Sequence, residues 1–219
     1  MFHILQLIGS RLFNILGFES LVTGLPYALF TKWHAEAGEP DPFPGLTKAP
    51  YDAWVIPAAL TAMCCLMVVA LFNFGVSLQL AAALIFIYTV MALTVMDIGY
   101  LLLPFKVSIP FLIAGLVFNS LDTFTGFQSS ILGALIGYAV MSIPYAVGRI
   151  TGKPLIGGGD APVVAALGAW FGVQSLLALG LITCITFLMY AIPFRAKGVY
   201  HAPLGPALGV AGLIVLFIH

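Results

Sequence analysis

Long uninterrupted apolar runs are the feature that most restricts how this chain can fold. The run at residues 85–96 reads IFIYTVMALTVM and contains no charged side chain. Only 7% of the 219 residues are charged, whereas a soluble domain carries about 25%. A water-soluble fold would lack the charge needed to cover its surface, so much of the apolar surface must face lipid. The sequence therefore predicts an integral membrane protein that is embedded in the lipid bilayer.

The apolar runs also predict the fold class. A spanning helix needs about 20 apolar residues, and only helices or closed barrels satisfy the backbone within a bilayer. The runs are too continuous for the alternating strands of a barrel. We predict an all-α, polytopic helical bundle of about eight segments, of which the fourth and sixth are short and either tilt or join a neighbour through a break. The predicted segments are 3–30, 53–73, 78–103, 107–121, 129–149, 160–171, 173–193 and 203–218.

The basic residues fall in alternate connections between these segments, apart from Arg11, which lies inside the first segment. The connections after segments one, three, five and seven hold Lys32, Lys48, Lys106, Arg149, Lys153, Arg195 and Lys197. By the positive-inside rule these connections are cytoplasmic, so both termini are predicted to be non-cytoplasmic. The chain is predicted to be a single integral membrane domain, 1–219, with a short cytoplasmic loop at about 31–52.

Two carboxylates lie at predicted membrane depth, on the cytoplasmic side. Asp97 follows the run at 85–96 and lies about 10 Å before the predicted helix end at Pro104, at a rise of 1.5 Å per residue. Asp160 begins the sixth segment. Ionisable residues within a membrane are costly and usually functional. Most other acidic residues fall in loops or turns, and Glu19 receives no role.

Three glycines, Gly157, Gly158 and Gly159, precede Asp160. Glycine permits tight turns and close backbone approach, and a helix start favours a carboxylate through its dipole. Two carboxylates that share a site cannot easily both ionise, so one keeps a proton. Such a pair can activate water and protonate a scissile carbonyl, which is aspartyl peptidase chemistry. The structural alternatives are that Asp160 only caps its helix and that Asp97 is satisfied by a neighbouring helix.

Neither a metal site nor a nucleic-acid partner is predicted. The three cysteines, Cys64, Cys65 and Cys184, show no CxxC spacing. No basic block is present, and the formal net charge is zero.

Several motifs resemble those of type IV prepilin peptidases, over roughly residues 50–219. Residues 97–104 (DIGYLLLP) and 115–119 (GLVFN) resemble the first catalytic segment of that family. Residues 156–160 (IGGGD) with 165–172 (AALGAWFG) resemble the second, the GxGD segment. Residues 133–138 (GALIGY) and 203–209 (PLGPALG) resemble two further motifs, the latter closing the family pattern.

The resemblance implies an intramembrane aspartyl endopeptidase in the bacterial inner membrane. Such enzymes remove the short basic leader from prepilins or pseudopilins at the cytoplasmic face. Asp97 and Asp160 match the catalytic pair, with the three glycines as the active-site loop. Water is the expected nucleophile, and no cofactor is needed.

The chain departs from the family pattern at several places, among them Phe105, where the family often has aspartate after Pro104. Many members carry paired CxxC motifs after the first helix and also methylate the new pilin terminus with S-adenosylmethionine. The loop at 31–52 has no cysteine, so we expect a peptidase without the zinc domain, for which S-adenosylmethionine matters only if methylation is retained. Pro162 stands where the family usually has lysine, and proline near a helix start leaves the helix intact.

Three other functions stay open at this point. One is a GxGD protease with a different membrane substrate, although such enzymes typically place tyrosine before the first aspartate, where this chain has Met96. Another is a non-enzymatic transporter or pilus or secretion assembly factor, with the aspartates in a proton relay. The last is a degenerate family member that binds prepilin without cleaving it.

Overall fold

The computed structural model describes residues 55–100, 103–151, 158–196 and 202–218, and these form helices joined by turns, with no strand among them. The helices are α1 (Val55–Phe74), α2 (Leu78–Tyr100), α3 (Phe105–Asn119), α4 (Phe127–Thr151), α5 (Asp160–Ala196) and α6 (Gly205–Ile218). Helices α1, α2, α4 and α5 each contain a stretch long and apolar enough to cross a membrane, whereas α3 and α6 are shorter apolar helices. The predicted all-α class is confirmed.

Five predicted segments each correspond to one observed helix, with ends that agree to within three residues. The sixth and seventh predicted segments together form α5, whose backbone is non-helical at Gly172. The first predicted segment, 3–30, and the loop at 31–52 lie outside the described residues. The count of eight segments and the positions of the termini therefore stay predictions.

The third predicted segment, 78–103, corresponds to α2, and it ends three residues beyond the last described helical residue. Helix α2 ends at Tyr100, only three residues after Asp97. Proline disfavours helical backbone in the residue before it, and Leu103 and Pro104 lie outside any helix. Asp97 thus lies near the end of α2, three residues before Tyr100.

The chain forms two compact units, Met1–Ala62 and Met63–His219. Of the first unit only residues 55–62, the start of α1, are described. Helices α2 to α6 all lie in the second unit. The prediction of a single domain over 1–219 stays a prediction.

Helix α5 is the centre of the second unit, because it packs against α3, α4 and α6. Its aromatic pair, Trp170 and Phe171, is fully buried against Phe86 of α2. The Trp170 indole N–H donates to the carbonyl of Phe111 in α3 at 2.9 Å. A Cβ on Gly115 would lie 2.8 Å from the indole ring, so glycine is what lets α3 approach.

Glycines bring α4 and α5 into backbone contact. A Cβ on Gly133 would overlap the carbonyl of Gly168, and a Cβ on Gly168 would overlap the carbonyl of Gly133. One turn further along, a Cβ on Gly137 would lie 2.8 Å from the carbonyl oxygen of Val164. Glycines four residues apart are a recurrent means of close helix packing in membranes. The two contacts define one antiparallel register for α4 and the first part of α5.

The break in α5 is held by polar groups of the neighbouring helices. Gly172 has φ 77° and ψ 174°, a backbone conformation that favours glycine. The break frees carbonyls of the preceding turn, and the Asn119 side-chain amide donates to those of Ala169 and Trp170, both at 2.8 Å. Ser130 also donates to the Ala169 carbonyl. Because an unpaired backbone group is costly in a membrane, these side chains make the break stable.

Candidate active site

Asp97 is buried at the end of α2, with 5% of its surface exposed. Its Oδ2 accepts a hydrogen bond of 2.5 Å from the backbone N–H of Gly205, the first residue of α6. A Cβ on Gly205 would lie 2.7 Å from both the Cβ and the Oδ2 of Asp97. Only glycine therefore fits at this position, and its backbone holds the carboxylate directly.

The backbone N–H groups at the start of α6 form hydrogen bonds to groups around them, including Asp97. The first N–H groups of a helix have no partner inside the helix. Here the N–H of Gly205 bonds to Asp97, and that of Leu208 bonds to the carbonyl of Leu204 at 3.1 Å. Between them, Pro206 has no N–H, and that of Ala207 bonds to the hydroxyl of Tyr190. A carboxylate beside a helix start also gains from the helix dipole, up to about 2 kcal/mol in partly buried sites.

Asp160 begins α5 inside the bundle and is also buried, with 8% of its surface exposed. The register of α4 against α5 places Asp160 level with Met141. Arg149 lies eight residues further along α4, which is on the order of 12 Å at the helical rise of 1.5 Å per residue. The start of α5 is therefore recessed from the end of α4 that carries Arg149.

Two of the predicted loop glycines lie in contact with neighbouring segments. A Cβ on Gly159 would lie 2.5 Å from the carbonyl oxygen of Leu103, which is rigid backbone. A Cβ on Gly158 would lie 3.3 Å from the ring of Tyr145, which is a side chain that can adjust. Gly159 is thus sterically required, and Gly158 less so. The third predicted glycine, Gly157, lies outside the described residues.

Tyr190 lies near both carboxylates, and sequence reasoning missed it. Its hydroxyl lies close enough to interact electrostatically with both Asp97 and Asp160. In a straight helix Asp160 and Tyr190 would be about 45 Å apart, at 1.5 Å per residue. The break at Gly172 is what brings the two parts of α5 back to one place. The structure therefore groups Asp97, Asp160 and Tyr190 around the start of α6.

Pro162 is buried in the first turn of α5, and the helix continues through it as predicted. A proline near a helix start gives up an N–H that has no partner inside the helix. Among the residues that the structure describes, no three His, Cys, Asp or Glu side chains are grouped as metal ligands.

This arrangement defines a class of protein: a membrane protein whose apolar helices enclose a pair of buried carboxylates. Residues 84–192 match the type IV leader peptidase family. The chain is 35% identical over 161 residues to the prepilin leader peptidase/N-methyltransferase of Aeromonas hydrophila, covering 68% of this chain and 56% of that protein. It is 36% identical over 140 residues to the protein of the same name from Aeromonas salmonicida (62% and 48%) and 35% identical over 144 residues to that from Neisseria gonorrhoeae (65% and 50%).

The helices that carry both aspartates thus belong to the type IV leader peptidase family, and the chain is a bacterial membrane protein. It spans about half the length of the curated relatives it matches. No solved structure matches the chain. The predicted family resemblance is confirmed.

Proposed function

We propose that this chain is an intramembrane aspartyl endopeptidase that removes the leader peptide of type IV prepilins or pseudopilins. The observation that carries the proposal is the burial of two carboxylates, Asp97 and Asp160, each at the end of an apolar helix and both near Tyr190. Both lie within the part of the chain that matches the leader peptidase family. The substrate class is taken from the names of the relatives.

In the proposed reaction the two aspartates act as an acid–base pair. One carboxylate takes a proton from water, and the resulting hydroxide attacks the scissile carbonyl carbon. The other, protonated, donates its proton to the carbonyl oxygen. The tetrahedral intermediate then collapses and the C–N bond breaks. The leaving amine takes the proton that the first carboxylate gained from water, and the second carboxylate regains a proton from a hydroxyl of the intermediate. The N–H of Gly205 fixes the orientation of the Asp97 carboxylate for this exchange.

The charges at one end of the bundle support cleavage at the cytoplasmic face. Lys106 is exposed in the first turn of α3, three residues after Leu103, whose carbonyl contacts Gly159. Arg149 lies near the end of α4, on the end of the bundle toward which the start of α5 faces. Basic residues favour the cytoplasmic side. The site then opens toward the cytoplasm of a multi-pass protein in the inner membrane, with both termini on the far side.

The proposal is limited to peptidase activity. The relatives are named for a methyltransferase activity as well. The proposed reaction uses water and the two aspartates and needs no cofactor. S-adenosylmethionine would be required only if methylation of the cleaved pilin is retained.

The test uses membranes that contain the protein and a candidate prepilin from the same organism. Wild type is compared with Asp97→Asn, Asp160→Asn and the control Asp122→Asn, an exposed aspartate in the turn after α3. Mass spectrometry should show cleavage by wild type and the control, and none by the other two. Addition of one methyl group to the new terminus would restore the bifunctional assignment. No cleavage by wild type, or full cleavage by either site variant, would overturn the proposal in favour of a transporter or binding protein.

A further inference from the structure

Tyr190 contacts the start of α6 on both sides of the residue that holds Asp97. Its hydroxyl donates to the carbonyl of Pro203, two residues before Gly205. The same oxygen accepts from the N–H of Ala207, two residues after it. One hydroxyl thus bridges the segment in which Gly205 lies, and the Gly205 N–H bonds to Asp97.

The hydroxyl of Tyr190 donates its hydrogen to the Pro203 carbonyl. Its effect on Asp97 passes through the backbone of α6. Loss of the hydroxyl would leave both backbone groups without this partner, and because an unsatisfied polar group away from water is costly, we expect the segment to shift toward other partners. A shift of the α6 start moves the Gly205 N–H and, with it, the carboxylate against which Gly205 is packed.

We propose that Tyr190 is a positioning residue for the acid pair, whose hydroxyl fixes residues 203–207 and so holds Gly205 against Asp97. This inference rests on the proposed peptidase function. Tyr190 acts on the turnover step, because the segment that it fixes contacts a reacting carboxylate. Binding of the prepilin should depend on it much less.

The test compares Tyr190→Phe with Tyr138→Phe, the same change at an exposed tyrosine of α4. A displacement of about 1 Å near reacting groups can reduce turnover by about a hundredfold. We expect kcat of Tyr190→Phe to fall by about 10- to 100-fold while KM stays within about twofold, the signature of an effect on the reaction step. The control should match wild type in both constants.

Hydrogen exchange gives a readout that does not depend on activity. In Tyr190→Phe, the peptide that covers the start of α6 should exchange faster than in wild type, and the α4 peptide that contains Gly133 should not change. A tyrosine that only fills space would leave exchange at the α6 start and kcat unaltered after the loss of its hydroxyl.

The outcomes separate this inference from the function on which it rests. If wild type cuts the prepilin and Tyr190→Phe has normal kcat, or if its loss lies only in KM, the inference is overturned alone. Unchanged exchange at the α6 start would overturn it as well. If wild type cuts nothing, the proposed function fails, and the exchange experiment still decides whether Tyr190 fixes α6.

Discussion

Replacing Gly205 with alanine puts a methyl group against the carboxylate of Asp97. The new Cβ would lie 2.7 Å from the Cβ and Oδ2 of Asp97 and 3.0 Å from its Cγ. Carbon atoms in contact ordinarily lie about 3.5–4.0 Å apart, so the atoms must separate by roughly 0.8 Å or more. The Cβ of Asp97 is attached directly to the α2 backbone, and no side-chain rotation moves it away. The two helices must part, or the hydrogen bond from Gly205 must break.

The overlap sets the size of both expected effects. Extra methylene groups in a packed core typically cost about 1–3 kcal/mol of stability. A shift of about 1 Å at a catalytic carboxylate can cost about a hundredfold in rate. We therefore expect Gly205→Ala to lose about 1–3 kcal/mol in its free energy of unfolding and about a hundredfold in kcat. Cleavage of prepilin under saturating substrate and thermal denaturation in the same detergent measure the two quantities.

Gly209→Ala is the matched control, one turn further along α6 and against the same helix. Its Cβ would overlap the Thr94 hydroxyl and lie 3.3 Å from a Val90 methyl carbon. It should lower stability by a similar amount, about 1–3 kcal/mol, and leave kcat within about fivefold of wild type, because neither neighbour is a reacting group. Normal turnover by Gly205→Ala would refute the argument, as would equal losses of kcat in the two variants.

Two other predictions concern the glycines before Asp160 and the break at Gly172. Gly159→Ala should abolish most cleavage, because its Cβ would meet the Leu103 carbonyl. Gly158→Ala should keep activity within about tenfold, because the Tyr145 ring can adjust. Initial rates of cleavage at equal protein concentration test this difference, and equal rates for the two variants would contradict the steric reasoning. Asn119→Leu should lower the free energy of unfolding by more than about 3 kcal/mol, because four backbone groups lose a hydrogen-bond partner. Thermal denaturation measures this loss. A change below about 1 kcal/mol would show that the Gly172 break does not depend on Asn119.

The course of the helices was largely predictable from the sequence, and the reason is the bilayer. Within a bilayer the backbone N–H and C=O groups of apolar runs of spanning length must be hydrogen-bonded inside a helix, so the ends of five segments were predicted to within three residues. The division at Gly172 was also expected, because the predicted segment 160–171 is short for a full crossing and could join its neighbour through a break. The sequence did not reveal what stabilises that break, because the Asn119 side chain that caps the freed carbonyls is 50 residues away.

The site was predictable only in part. Asp97 and Asp160 stand out because carboxylates are rare at membrane depth, and their catalytic role stays a prediction. Gly205 lies 108 residues from Asp97 in the chain, and no local pattern predicts a contact over that separation. The glycine between two prolines at 203–206 is visible in the sequence, but nothing in the sequence indicates which residue that glycine contacts. Tyr190 lies within an apolar run, where an aromatic residue is common and gives no sign of a role in the site.

Helix α3 shows why the buried faces of this protein were harder to identify than its helices. Its buried residues are Ser108, Phe111, Gly115 and Asn119, whereas Ile109, Ile113 and Val117 are about half exposed. A soluble helix would bury its aliphatic stripe, but in lipid those residues gain little by packing against protein. Close approach and hydrogen bonds decide instead which face turns inward, so small and polar residues mark it. By that rule the residues to examine first in such a chain are its glycines and isolated polar side chains, and here Gly115, Asn119 and Gly205 all make close contacts or hydrogen bonds with another helix.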